Sequence, residues 1–321
     1  MNTSVRHDLT YADIEAAARR VGDRIRPVVL APADGGERDP SWFALEFLQH
    51  TGSFKARGAL NFLRWHRDRA LLPEAGVTIA SGGNAGLACA WAARDQNVHA
   101  TVFLPATAPA VKVARLREYG ARVRLVGDQY ADALAACREY AAASGALMSH
   151  AYDHPLIAAG AGTLMSEIHR GRPDLDTVLV AAGGGGLFAG IATAARHYGV
   201  RAVAVEPRRC RALNAALAAG HPVDVEVDSI AADSLGARRA TALAVAAAES
   251  TRSVLVEDAD IVAARRTLWA RHRIAVEYGA ATAFAALTAG AYRPESGERV
   301  CVVLCGANTD PADLADADES G

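Results

Sequence analysis

Short runs of β-branched and apolar residues alternate along this chain with longer alanine-rich stretches, and that alternation restricts the fold more than any other feature. The runs at 77–80, 99–103, 122–126, 177–181, 202–205, 253–256 and 300–304 have strand length, and several are apolar without a break. Strands buried on both faces read this way, whereas a half-exposed strand alternates polar and apolar residues. The stretches 86–95, 109–119, 130–144, 160–170 and 259–271 have the length and composition of helices. Such alternation wraps helices around parallel sheets, so the expected class is α/β with helices on both sheet faces. At 321 residues the chain can form two lobes. We expect a smaller lobe at 75–150 inserted into a larger one made from 1–74 and 151–321.

One apolar stretch, 177–195, is long enough to raise the question of a membrane span, but four consecutive glycines interrupt it. In a helix each would cost about 1 kcal/mol relative to alanine, so a buried strand, a loop and a helix start fit better. The N-terminal residues carry Asp8, Asp13 and Glu15 and lack the basic-then-apolar order of a signal peptide. The 36 acidic and 34 basic residues nearly cancel, to a formal charge of −2, which offers no footprint for nucleic acid or an anionic membrane. Five cysteines with no Cys-x-x-Cys pair suit free thiols in a reducing cytoplasm. These features point to a cytoplasmic protein whose partner is a small molecule.

Only two of the 34 basic residues are lysines, Lys55 and Lys112. Arginine stays protonated and cannot form an imine, so any amine chemistry falls to one of these two. Lys55 lies in Gly52-Ser-Phe54-Lys55-Ala-Arg57-Gly-Ala59 at a helix start, whose positive end favours the free amine. Three more loops sit where strands end, the usual position of sites in open α/β sheets. Ser81-Gly82-Gly83-Asn84-Ala85-Gly86 places backbone donors before a helix, suited to a carboxylate. Gly183-Gly184-Gly185-Gly186-Leu187 offers bare backbone for a phosphate. This segment also fits a dinucleotide fingerprint, because Gly184, Gly186 and Ala189 have its spacing and Glu206 follows about twenty residues on, where a ribose-binding acid would stand. The fourth loop, Cys305-Gly-Ala-Asn308, ends the last strand with a thiol able to face a neutral ring nitrogen. His150 and His154 are four apart, but Pro155 and the intervening Tyr-Asp argue against a helical zinc pair.

These four loops, in this order from about Glu46 to Asn308, resemble the serine/threonine dehydratase group of fold type II pyridoxal-phosphate (PLP) enzymes, which includes serine racemase. The resemblance implies a tryptophan synthase beta-like fold with two open parallel-sheet lobes, PLP as cofactor, an amino acid substrate and a homodimer. It implies that Lys55 carries PLP as an imine with Phe54 beside the ring. Asn84 would face the cofactor's phenolic oxygen, and Gly183, Gly184, Gly185, Gly186 and Leu187 would hold its phosphate. Cys305 would face the pyridine nitrogen, and Glu277 matches a glutamate behind the cofactor contacts. Ser81, Gly83, Asn84 and Ala85 would hold the substrate carboxylate, and no metal is assigned. The implied reaction is β-elimination from L-serine or L-threonine to a 2-oxo acid and ammonia, the leaving hydroxyl taking its proton from the cofactor phosphate.

The chain departs from relatives at informative places. Serine racemase has a serine on the opposite face where this chain has Gly82, so racemisation lacks its second proton donor. Threonine and cysteine synthases usually read Lys-Asp-Arg where this chain reads Lys55-Ala-Arg57. Metal-binding relatives pair a glutamate matching Glu206 with a second acid. That place falls near Ala212, among Arg208, Arg209 and Arg211. Ala151 stands where a proline is common beside the substrate pocket and leaves more room.

Overall fold

The computed structural model describes residues 9–33, 41–249 and 251–314; part of the acidic N-terminal stretch, residues 1–8, lies outside them. Among the described residues ten strands form two sheets. The larger contains β1 (Leu30–Ala33), β2 (Ser41–Ala44), β7 (Thr177–Ala181), β8 (Arg201–Pro207), β9 (Arg252–Val256) and β10 (Val300–Val303), in the order β1-β2-β10-β7-β8-β9. The smaller contains β3 (Val77–Ala80), β4 (Ala100–Leu104), β5 (Arg122–Leu125) and β6 (Leu147–Met148), in the order β5-β4-β3-β6. All pairings are parallel except β1 with β2. The sequence analysis did not find β1, β2 and β6. β1 carries Pro32, which an edge strand tolerates because its missing N–H faces away from the ladder. β6 is two residues long, too short for a periodic signal.

The helices are α1 (Tyr11–Val21), α2 (Lys55–Arg67), α3 (Asn84–Asp95), α4 (Ala110–Glu118), α5 (Tyr130–Ser144), α6 (Pro155–Gly171), α7 (Gly186–His197), α8 (Ala212–Ala219), α9 (Ala232–Leu235), α10 (Ala242–Ala247), α11 (Asp258–His272) and α12 (Tyr278–Thr288). No described helix is long and apolar enough to cross a membrane, and the stretch 177–195 resolves into β7, the glycine loop and most of α7.

The core of the larger sheet joins β7, β8 and β10 to α6, α7 and α12 through residues such as Leu164, Val180, Phe188 and Ala283. A second apolar cluster joins the smaller sheet to α2, with Ala56, Leu60 and Leu63 packed among Val77, Ile79 and Val102. Helix α2 therefore stands between the lobes with Lys55 at its first position. Helix α6 ties α2 to α7 by close backbone approach. A Cβ on Gly160 would lie 2.7 Å from Gly58 Cα, and one on Gly190 would lie 2.8 Å from Gly162 Cα. The two helices that begin at the lysine and at the glycine loop are thus held against one rigid spacer.

Candidate active site

The lysine and cysteine loops are stitched together by backbone. Phe54 N–H donates to Cys305 O at 3.0 Å, Ala307 N–H to Gly52 O at 2.9 Å, and Ser53 pairs with Gly306 as an isolated bridge. Two residues apart on α2, Lys55 and Arg57 face different ways. Arg57 is fully buried and binds Glu46 at 2.6 and 3.0 Å and Glu167 at 2.6 and 3.0 Å. Burial works against its charge, but the two carboxylates outweigh it and push its basicity upward, and the triad locks the start of the helix. Lys55 instead is only half-buried. Its Nζ donates to Ala151 O at 2.8 Å and lies 4.8 Å from the centroid of the Phe54 ring.

Burial pushes the Lys55 amine down to about 8, against smaller opposing effects of Cys305 and Glu277. An amine held there has a usable neutral fraction at physiological pH, which imine chemistry requires. The Cys305 thiol is buried, and loss of water raises it well above its ordinary value, so it stays a neutral hydrogen-bonding group. Burial raises Glu277 as well, with the Asn84 side chain opposing it.

Asn84 begins α3, and its Nδ2 donates to both Glu277 oxygens at 3.0 Å. Its Oδ1 accepts from Asn308 Nδ2 at 2.7 Å, and Asn308 Nδ2 also reaches Thr51 O at 2.7 Å. The asparagine loop, the cysteine loop and the Lys55 loop therefore converge. Ser81 and Gly83 lie beside them at the end of β3, and Ala85 is buried in the first turn of α3. Asn308 was not assigned a role from the sequence, although it belongs to the quoted Cys305 loop. Its partners are remote in sequence, so no local pattern marks it.

The glycine loop precedes the 12-residue helix α7, with Gly185 at φ +94°, a left-handed conformation that favours glycine. A Cβ on Gly184 would lie 2.2 Å from the Tyr152 ring, one on Gly185 2.2 Å from Ala244 Cβ, and one on Gly183 2.9 Å from Leu235 Cα. Tyr152, which the sequence analysis passed over, thus sits directly on the loop, and Lys55 Nζ is 5.9 Å from its ring centroid. A cradle of bare backbone at a helix N-terminus, a near-neutral lysine, a neutral thiol and the buried, unpartnered hydroxyl of Ser53 fit PLP.

The dinucleotide reading fails at Glu206. That carboxyl is fully buried and accepts the amides of Leu213 at 2.8 Å and Asn214 at 2.7 Å, so it caps α8 and has no exposed face for a ribose. Burial lifts it to about 8 against those two donors. His150 and His154 are also occupied. His150 Nδ1 accepts from Asp153 N–H at 2.8 Å, and His154 Nδ1 caps α6 by accepting from Leu156 N–H at 3.1 Å.

A two-lobed α/β protein with a half-buried lysine at a helix start and a bare-backbone glycine loop at another helix N-terminus is the class this arrangement defines. The chain belongs to the pyridoxal-phosphate dependent enzyme family, whose model matches residues 23–306. It is 36% identical over 320 residues to L-threonine ammonia-lyase of Geobacter sulfurreducens, covering 98% of this chain and 79% of that one. It is 35% identical over 278 residues to phenylserine dehydratase of Ralstonia pickettii, covering 85% and 84%. The crystal structure of serine racemase from Dictyostelium discoideum superposes with TM-score 0.86 at 26% identity, covering 95% of this chain and 100% of that one.

Proposed function

We propose that this enzyme removes the β-hydroxyl and then the amino group of L-serine- or L-threonine-type amino acids, releasing a 2-oxo acid and ammonia. The observation that carries this reading is Lys55, a half-buried amine brought down to about 8, beside the buried, neutral Cys305 thiol. PLP, when bound, supplies the electron sink for the α-carbon. An acidic partner at the ring nitrogen would deepen that sink; a neutral thiol does not, which favours prompt loss of the β-substituent over slower transfer chemistry.

The residues then divide the work. Lys55 anchors the cofactor and takes the α-proton, while Phe54 packs beside the ring. Gly183, Gly184, Gly185, Gly186 and Leu187 hold the phosphate at the positive end of α7. Ser81, Gly83, Asn84 and Ala85 receive the substrate carboxylate at the start of α3. Glu277 fixes the Asn84 amide, so that its orientation is set before ligand arrives. In this reading residues 1–74 and 151–321 form the cofactor lobe and 75–150 the substrate lobe, in a cytoplasmic homodimer that size-exclusion chromatography would register at twice the chain mass.

The test is keto acid release from a panel of L-serine, L-threonine and L-phenylserine, with the visible absorbance of bound cofactor followed in parallel. Lys55→Ala should lose both the absorbance and essentially all turnover, whereas Lys112→Ala should keep both. Borohydride labelling of Lys112 instead of Lys55 would remove the basis of the assignment. In the apoenzyme, cofactor uptake should accelerate as pH rises through about 8, because only the deprotonated Lys55 amine adds to the aldehyde.

A further inference from the structure

Asn308 stands where three loops meet, and its side-chain partners among the described residues fix which end of its amide is which. Arg115 Nη2 donates to Asn308 Oδ1 at 2.7 Å. A guanidinium has no acceptor, so the opposite end of the amide is Nδ2. One Nδ2 hydrogen goes to Thr51 O at 2.7 Å, a backbone carbonyl that only accepts. The turn presenting that carbonyl is left-handed at both Thr51, φ +63°, and Gly52, φ +73°. A Cβ on Gly52 would lie 2.8 Å from Asn308 Oδ1, so the side chain is confined against bare backbone. The other Nδ2 hydrogen goes to Asn84 Oδ1 at 2.7 Å. Asn84 is left with its own donor end to offer, and both Glu277 oxygens accept it at 3.0 Å. The chain of contacts runs from α4 to the loop after β10, back to the first residue of α3, and on to the N-cap of α12.

We propose that Asn308, anchored by Arg115, is a positioning residue that holds the Asn84 amide in one orientation, an inference that rests on the reading in which Asn84 receives the substrate carboxylate. The two ends of an asparagine amide are nearly equal in size, so packing alone does not choose between them. Hydrogen bonding does. Glu277 holds one end of the Asn84 amide and Asn308 the other. Turning that amide over would set its oxygen against Glu277 and its NH2 against the Asn308 NH2, so both contacts would fail together. Arg115 and Thr51 O prevent Asn308 from turning over to follow it.

Asn308→Asp keeps the shape of the side chain and the contact to Arg115 but replaces the donor with an acceptor. Asn84 then meets an acceptor at each end and has a donor for only one. Asn308→Ala removes the contact without reversing it. Spectral titration of the cofactor-loaded enzyme with L-alanine, which has no leaving group, reads binding apart from turnover. The Kd for L-alanine should rise about 10-fold in Asn308→Asp and about 3-fold in Asn308→Ala, as one reversed and one missing hydrogen bond would produce. KM for L-serine should follow the same order, with kcat changed less and thermal unfolding close to wild type. A packing role predicts the opposite order, because aspartate fills the space that alanine leaves empty. In an Asn84→Ala background, Asn308→Asp should add less than about 2-fold, whereas an added charge acting directly on the ligand would keep its full effect there. Equal or greater harm from Asn308→Ala, or an undiminished loss in the Asn84→Ala background, overturns the positioning role and leaves the lyase reading intact. A wild type that shows this binding pattern yet releases no keto acid from L-serine overturns the lyase reading and leaves the positioning role standing.

Discussion

Two glycine-rich loops among the described residues each join a parallel strand to a helix, and they are built on opposite plans. The loop after β7 is packed at every glycine, against Leu235, Tyr152 and Ala244, and leaves space for no side chain. The loop after β3 is looser. Gly83 has nothing within 4 Å of where its Cβ would be, and Gly82 meets only the end of the Leu104 side chain. A site that binds a permanent anion gains from a fixed backbone, whereas a site that admits and releases a substrate needs free space beside its donors. The first plan suits the cofactor and the second the amino acid.

That contrast breaks most clearly at Gly185. A Gly185→Ala variant meets both a left-handed φ of +94° and a 2.2 Å approach to Ala244. Strain of this kind costs on the order of 1–3 kcal/mol, and the clash adds to it. We expect a lower thermal midpoint and a cofactor that dialyses out. Retention of full absorbance and wild-type stability would show that the loop is less fixed than the packing implies.

A serine at 82 tests the looser loop. In Gly82→Ser the new Cβ would lie 2.5 Å from Leu104 Cδ2, the far end of a flexible side chain, so a rotation of Leu104 accommodates it. The wild type should convert L-serine to pyruvate with little D-serine. The variant should shift product toward D-serine, the outcome expected if position 82 lies on the face of the α-carbon opposite Lys55. Chiral chromatography of both product mixtures decides the point, and substantial D-serine from the wild type would make the chain a racemase.

The smallest effect belongs to Gly83→Ala. With open space for the methyl group, stability should stay within about 0.5 kcal/mol of wild type and cofactor content should not change. KM for L-serine should rise a few-fold, because the methyl narrows the space beside the proposed carboxylate donors. A loss of cofactor in this variant would erase the division of labour between the two loops.

The outcome at Tyr152 and Glu206 shows where sequence reading stops. Tyr152 sits in Ala-Tyr-Asp-His, a segment with no periodicity, and only the packing of its ring on Gly184 gives it a place in the site. Glu206 had the right spacing for a ribose acid, yet spacing carries no information on burial, and the start of α8 takes both its oxygens.

The sequence by itself determined the α/β class, the places of seven strands, the two candidate amines and the four loops that carry chemistry. Those are local properties: side-chain periodicity sets the elements, and the reactivity of a lysine or a bare glycine backbone is intrinsic to the residue. Tertiary structure alone decided which loops meet. Asn84 reaches Glu277 across 193 residues, Asn308 reaches Asn84 across 224, and Lys55 reaches Ala151 across 96. It also decided the ionisation of Lys55, because a helix start adjusts an amine modestly while burial brings it to about 8. Burial is a property of everything packed around a residue, and no window along the chain contains it.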